Sequence, residues 1–225
     1  MTDKYAIITA GGKGLRMGAE IPKQFLPLYG STVLMHTLAA FFHADSSIRL
    51  ILVLPENQQD YWKNLCLEYR FTLPHTVVSG GETRFHSVQN GLRLVPENAL
   101  VAVHDGVRPL VSNELILNAF DLAETHQAVY PAVPVTDTLR ECLSENESHI
   151  VDRSRFRLVQ TPQVFRSEIL KEAYQQSYSE SFTDDVSVVE AAGICRVQMM
   201  EGEKSNIKIT TPVDLIIATA LLNGY

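Results

Sequence analysis

The chain has 225 residues, 45% of them hydrophobic and 20% charged, which is ordinary for a globular protein and enough to bury a substantial core. Its 26 acidic residues outnumber 19 basic ones, for a net charge of −7; this argues against a broad nucleic-acid surface and requires any anion site to gather its cations locally. No apolar run approaches the roughly 20 residues of a membrane span, and the stretch around Asp3 and Lys4 lacks a signal-peptide pattern, so a cytoplasmic protein with no membrane partner is expected.

The first apolar run, Lys4–Ala10, predicts a strand that leads into Gly11-Gly12-Lys13-Gly14-Leu15-Arg16 and then Pro22-Lys23. Glycines let backbone N–H groups close on an anion, and nearby basic side chains add charge. Two common phosphate loops fail here. A Walker loop needs Ser or Thr after Gly-Lys, and Gly14 stands there. A dinucleotide fingerprint needs its third glycine at Met17, and Gly18 comes one position late. Pro22 and Pro27 rule out a long regular helix through this stretch.

Ser31 is expected to cap a helix reaching Phe42, Arg49–Leu54 to form a strand, and Asn57 to cap a helix through Tyr69. Strand His75–Ser79 runs into Gly80-Gly81-Glu82-Thr83-Arg84, opening a helix over Arg84–Leu94 that carries Ser87. Strand Leu100–His104 ends in Asp105-Gly106-Val107-Arg108, ahead of a helix over Ser112–His126 and a strand over Ala128–Val135. Strands alternating with amphipathic helices predict a mainly parallel sheet with helices on it.

The alternation then breaks. Thr138–Leu143 and Ser148–Arg153 flank a polar turn and read as an inserted β-hairpin; two strands alone are marginal in water, so this one is expected to pack on another surface, a second subunit being one candidate, rather than to be a bare surface excursion. Gln160-Thr161-Pro162-Gln163, a helix cap at Thr183-Asp184-Asp185, a strand near Arg196–Met200, Asn206-Ile207-Lys208-Ile209-Thr210 and a helix start at Thr211-Pro212-Val213-Asp214 complete the chain. Without repeats or low-complexity tracts, a single domain over residues 1–225 is expected. Cys66, Cys142 and Cys195 form no metal-binding or disulfide pattern and are expected as buried small hydrophobes. His104 is read as a strand end rather than half of a dyad with Asp105, and Phe41, Phe42 and Trp62 as core.

The ordered set of motifs from Ile7 to about Leu215 resembles the 2-C-methyl-D-erythritol 4-phosphate cytidylyltransferase family. The resemblance implies a Rossmann-like α/β nucleotidyltransferase fold: a mainly parallel twisted sheet flanked by helices, with a projecting β-hairpin arm over residues 137–155 that forms a homodimer. It implies CTP as substrate, with Ala10, Gly11, Gly12 and Gly14 around the triphosphate, and Gly81, Arg84 and Ser87 on the cytidine side. Arg16 and Lys23 would stabilise charge at the reacting phosphorus. Asp105 would bind CTP and ligate Mg²⁺ or another divalent cation, with Arg108 nearby. Thr138 and Arg153 from the other subunit, with Thr161 and Lys208 from the same one, would hold methylerythritol phosphate. Three positions depart from the family pattern: Thr9-Ala10-Gly11-Gly12 replaces Pro-Ala-Ala-Gly, Asp105-Gly106-Val107-Arg108 replaces Asp-Ala-Ala-Arg, and Ser205 stands where some members carry an acid.

A sister family, ribitol-5-phosphate cytidylyltransferase, has similar glycine loops and a similar late Asn-x-Lys-Ile-Thr; Val151-Asp152-Arg153 ahead of Gln160-Thr161-Pro162-Gln163 favours the methylerythritol enzyme. An NAD-binding oxidoreductase and a silent nucleotide-binding regulator are the readings from other classes.

Overall fold

Strand β1 (Lys4–Thr9) lies inside the main sheet, paired in parallel with β4 (Arg49–Leu54) on one side and β6 (Leu100–Asp105) on the other. A computed structural model describes residues 2–12 and 21–224; Gly14 and Arg16 lie outside the described residues. Beyond β4 comes β5 (Thr76–Ser79), also parallel. Beyond β6 comes β11 (Gln163–Arg166), antiparallel both to β6 and to β7 (Ala128–Pro134). Antiparallel β10 (Arg157–Val159) and parallel β12 (Gln198–Glu201) also pair with β7. Among the described residues the sheet has eight strands and is mainly parallel, as expected, with β11 set antiparallel within it.

Alternate side chains of β1 point to opposite faces. Ala6 and Ile8 join a core with α1 (Val33–Ala44), α2 (Glu56–Glu68) and α4 (Asn113–His126), which includes Phe41, Trp62 and Phe120. Tyr5 and Ile7 join a second core with α3 (Arg84–Leu92), α5 (Ser167–Ala173) and α6 (Asp185–Ala192). The expected core positions Phe41 and Trp62 are buried, and Phe42 packs half-buried against the same cluster. A small third cluster, with Leu28, Val33, Ile209 and Ala218, seats α7 (Pro212–Leu222) on the hairpin of β2 (Pro27–Leu28) and β3 (Ser31–Thr32).

Several helix starts follow the expected chemistry. Ser112 accepts a hydrogen bond from the Leu115 N–H at 2.9 Å, Asp184 forms a capping box with Ser187, and Thr211 forms one with Asp214. Two do not. Thr32, not Ser31, caps α1, because Tyr29 and Gly30 (φ 41° and 77°) close a two-residue hairpin that draws Ser31 into β3. Pro55, not Asn57, precedes α2 as its cap residue, leaving Asn57 inside the first turn with no side-chain cap on the helix.

The inserted hairpin is formed by β8 (Arg140–Cys142) and β9 (Ser148–Ile150), paired Arg140 to Ile150 and separate from the main sheet. Both of its strands stay largely exposed, so Cys142 is exposed rather than buried; Cys66 and Cys195 are half-buried. Among the described residues no helix is long and apolar enough to cross a membrane.

Candidate active site

The chain leaves β1 toward β4 on one side, while β6 lies on the other, and in such sheets the loops at this switch open a crevice at the carboxyl ends of the strands. Backbone bonds lock the crevice floor: Gly106 N–H to the Thr9 carbonyl at 2.9 Å and Ala10 N–H to the Val53 carbonyl at 3.0 Å. Buried Gln24 donates to the Ala10 carbonyl at 2.8 Å and to Gln58 at 2.9 Å, fixing the start of the glycine loop. On the β5 side, Gly81 N–H donates to Ser87 Oγ at 3.1 Å, and Ser87 Oγ donates to the Thr83 carbonyl at 2.9 Å. That turn needs a glycine: a Cβ on Gly81 would come within 2.4 Å of His86 Cβ.

Two cavities open here. One, of about 300 Å³, runs from Ala10, Gly11, Gly12 and Lys23 to Gly81 and Ser87. The other, of about 240 Å³, is walled by Arg108, Thr161, Gln163, Thr183 and Asp184. Arg84, Asp105 and Lys208 line both, and so mark their junction.

At the junction one carboxylate faces three cations. Lys208 Nζ is 3.0 Å from Asp105 Oδ2, Arg108 Nε 3.5 Å from the same oxygen, and Arg84 Nε 3.7 Å from Oδ1. Burial pushes the Asp105 carboxyl up, but Arg84, Lys208 and Arg108 outweigh it and hold the group well below the usual carboxylate range. Arg108 is held by the Asn206 carbonyl at 2.8 Å, and burial pulls its guanidinium below its ordinary value despite Asp105. Asn206 Nδ2 donates to the Thr161 carbonyl at 2.8 Å, and Ile209 N–H bonds the Val107 carbonyl at 2.9 Å, which brings the Lys208 segment over β6. Lys208 itself is 43% exposed and able to swing toward a ligand on its long stem.

His104 takes no part in the cleft. It is fully buried, with Nδ1 3.0 Å from Thr161 Oγ1 and Nε2 3.2 Å from the Arg108 carbonyl. The carbonyl requires Nε2–H; the Thr161 hydroxyl, accepting from the Asp105 N–H at 3.1 Å, then donates to Nδ1. Burial pushes this imidazole down to about 4.

The family model for 2-C-methyl-D-erythritol 4-phosphate cytidylyltransferase matches residues 5–224. The chain belongs to this family of nucleotidyltransferase enzymes. It is 58% identical over 223 residues to the 2-C-methyl-D-erythritol 4-phosphate cytidylyltransferase of Azobacteroides pseudotrichonymphae, covering 99% of this chain and 100% of that one. A relative of the same name from Bacteroides thetaiotaomicron is 58% identical over 216 residues, with 96% and 98% covered. Among solved structures, the 4-diphosphocytidyl-2C-methyl-D-erythritol synthase of Anaerococcus prevotii is similar at TM-score 0.82 and 30% identity, covering 99% of each chain. The 2-C-methyl-D-erythritol 4-phosphate cytidylyltransferase of Thermus thermophilus is similar at TM-score 0.79 and 34% identity, covering 99% of this chain and 100% of that one. The Rossmann-like nucleotidyltransferase fold is thereby common to this chain and its family.

Of the residues that the family resemblance singled out, Ala10, Gly11, Gly12, Lys23, Gly81, Arg84, Ser87, Asp105, Arg108, Thr161 and Lys208 line the two cavities. Thr138 and Arg153 line neither of these two cavities. Thr138 is exposed at the root of the arm, and Arg153 donates to the Thr136 carbonyl. Cytidylyltransferase motifs left Asp185 and Gln163 without a role, although both are fully buried beside the cleft. Neighbouring Asp184 and Asp185 are indistinguishable as letters; only the helix start puts one at the cap and the other underneath it. A divalent cation is compatible with the donors present, because Mg²⁺ is commonly held by one or two carboxylates with substrate phosphates completing its shell. Asp105 is ionised, borders both cavities and faces a lysine able to move aside.

Proposed function

We propose that this chain transfers CMP from CTP to 2-C-methyl-D-erythritol 4-phosphate, giving 4-diphosphocytidyl-2-C-methyl-D-erythritol and pyrophosphate in isoprenoid precursor biosynthesis. The observation that carries the reading is the pair of cavities meeting at Arg84, Asp105 and Lys208. The glycine-lined cavity suits the nucleotide and the other the acceptor phosphate, so that the reacting atoms meet at the junction.

An oxygen of the acceptor phosphate attacks the α-phosphorus of CTP, and the bond to the bridging oxygen breaks, its electron pair leaving with pyrophosphate. A phosphate monoester has its second pKa near 6 and is mostly ionised at neutral pH, so no general base is required. That agrees with the seclusion of His104 beneath the site. What the reaction needs is two polyanions held in line and cations placed beforehand where charge grows. Lys23 and Lys208, with Arg16, supply that charge, and Ala10, Gly11, Gly12 and Gly14 let backbone N–H groups approach the triphosphate. Gly81, Arg84 and Ser87 receive the cytidine side, and Arg108 and Thr161 wall the acceptor cavity. Asp105 would hold Mg²⁺, which when bound supplies positive charge to the phosphates.

The same reading makes the protein a single domain working as a homodimer, with residues 137–155 as the arm that carries Thr138 and Arg153 to the partner's cleft. Supporting it, Leu143, Ile150, Phe156, Leu158 and Val159 are large apolar side chains exposed along and beside the arm. Three free cysteines suit a cytoplasmic, reducing compartment.

Pyrophosphate release with CTP and Mg²⁺ tests the reaction, with methylerythritol phosphate and ribitol 5-phosphate offered separately. Release with the first acceptor is expected; release with ribitol phosphate alone would overturn the choice of substrate.

A further inference from the structure

Arg84 opens α3 and meets two carboxylates. Its Nη2 lies 2.6 Å from Asp185 Oδ2, while its Nε faces Asp105 Oδ1 at 3.7 Å. Burial works against the guanidinium charge, but Asp185 and then Asp105 outweigh it and hold the group above its ordinary value. Asp185 is fully buried and lines neither cavity, so it cannot itself touch a substrate. It is nonetheless tightly held. The Tyr174 hydroxyl donates to its Oδ1 at 2.6 Å, and Gln163 Oε1 accepts from the N–H groups of Asp185 and Val186 at 3.0 Å each. Tyr174 is itself stacked on Phe85, the residue after Arg84, with ring centroids 4.6 Å apart.

A buried ion pair contributes little net stability, because desolvation offsets the attraction. It does fix geometry, and an outer partner that orients a charged group in a site is a recurring device. The shorter contact is to Asp185, on the side away from the cleft. If it were lost, the guanidinium would have Asp105 as its one remaining carboxylate in this cluster and would close onto it across the junction of the cavities.

We infer that Asp185, held by Tyr174 and Gln163, is the positioning residue that keeps Arg84 from closing fully onto Asp105 and holds it aimed at the junction. The inference rests on the cleft being the site of CTP and acceptor binding. It predicts coupling. Asp185→Asn should lower kcat/KM for CTP at least tenfold, with the acceptor KM within threefold of the wild type. In an Arg84→Gln background the same change should have no further effect, whereas a merely structural role would lower both backgrounds alike. Tyr174→Phe deletes one hydroxyl and keeps the stacked ring, so it should reproduce the direction of the defect, a few-fold in size, at a near-native melting temperature. It serves as the test if Asp185→Asn does not fold.

Steady-state pyrophosphate release and CTP titration calorimetry on the wild type and these variants give the answer. Equal losses in both backgrounds, or unchanged kinetics in Asp185→Asn and Tyr174→Phe, would overturn the inference. A wild type that binds CTP but releases no pyrophosphate overturns the functional reading alone, since the coupling is then read from CTP affinity. A wild type that does not bind CTP overturns both.

Discussion

Lys23 and His104 show how two basic residue types near one cleft part ways. Lys23 sits in a short turn, Lys23–Phe25, at the edge of the glycine-lined cavity. On the proposed reading, truncating it to alanine removes a cation from the site of developing charge, so turnover should fall roughly 10²–10³-fold while the melting temperature stays near native. Pyrophosphate release alongside a thermal melt checks this, and unchanged turnover would take Lys23 out of the mechanism. His104 is neutral and buried, and charging it costs the fold. Its folded value of about 4 lies below the ordinary 6.5, so between these pH values the unfolded chain binds more protons. Stability from this residue is complete above about 6.5 and is lost as pH falls toward 4, on the order of 3 kcal/mol in total. Denaturant titrations from pH 7 to 4.5 should show that loss, and His104→Gln should flatten it. An equally steep decline in the variant would assign the pH dependence to other groups. At this scale the sequence was readable: His104 next to Asp105 reads as a strand end rather than half of a dyad, and its hydrogen-bond partners Thr161 and Arg108 agree with that.

The elements were read best where local chemistry acts alone. Ser112 and Thr211 cap their helices because a hydroxyl and an open N–H within three residues are all that a cap needs. Ser31 and Asn57 have the same chemistry and do not cap, because a hairpin turn and a proline had already set the chain direction. Strand β11 escaped notice since four residues carry no periodicity; its place between β6 and β7 comes from pairing with partners far along the chain. The turn at Gly80-Gly81 walls one side of the glycine-lined cavity. Gly81→Ala would press its methyl carbon against His86, at a cost of about 1–3 kcal/mol. On the proposed reading we expect both a lower melting temperature and a raised KM for CTP, because the turn would form the wall of the nucleotide cavity. A destabilised variant with unchanged KM would remove this turn from the nucleotide site.

At the scale of the whole molecule, the arm is the part that one chain leaves unexplained. Two strands of three residues are marginal in isolation, and the expected acceptor-binding residues Thr138 and Arg153 line neither described cavity. Subunit mixing separates a shared site from a separate one. If the protein is a homodimer with shared clefts, Arg153→Ala homodimers would lack an arm cation in every cleft, and Lys208→Ala homodimers the Lys208 cation. A mixed dimer would rebuild one complete cleft. Unfolding and refolding the two variants together should therefore recover activity that neither has alone; no recovery would place Arg153 in its own subunit's chemistry or outside it. Much was settled by the order of residues alone: an α/β chain, glycine turns after successive strands, and an acid and cations concentrated in an otherwise acidic protein. These follow from backbone freedom, side-chain period and charge, which are local properties. The convergence of Arg84, Asp105 and Lys208 on one junction, the antiparallel insertion of β11, and the burial of Asp185 beneath Arg84 came only with the folded chain. Each depends on residues tens of positions apart meeting across the sheet, and a pairing between distant strands leaves no mark on either strand by itself.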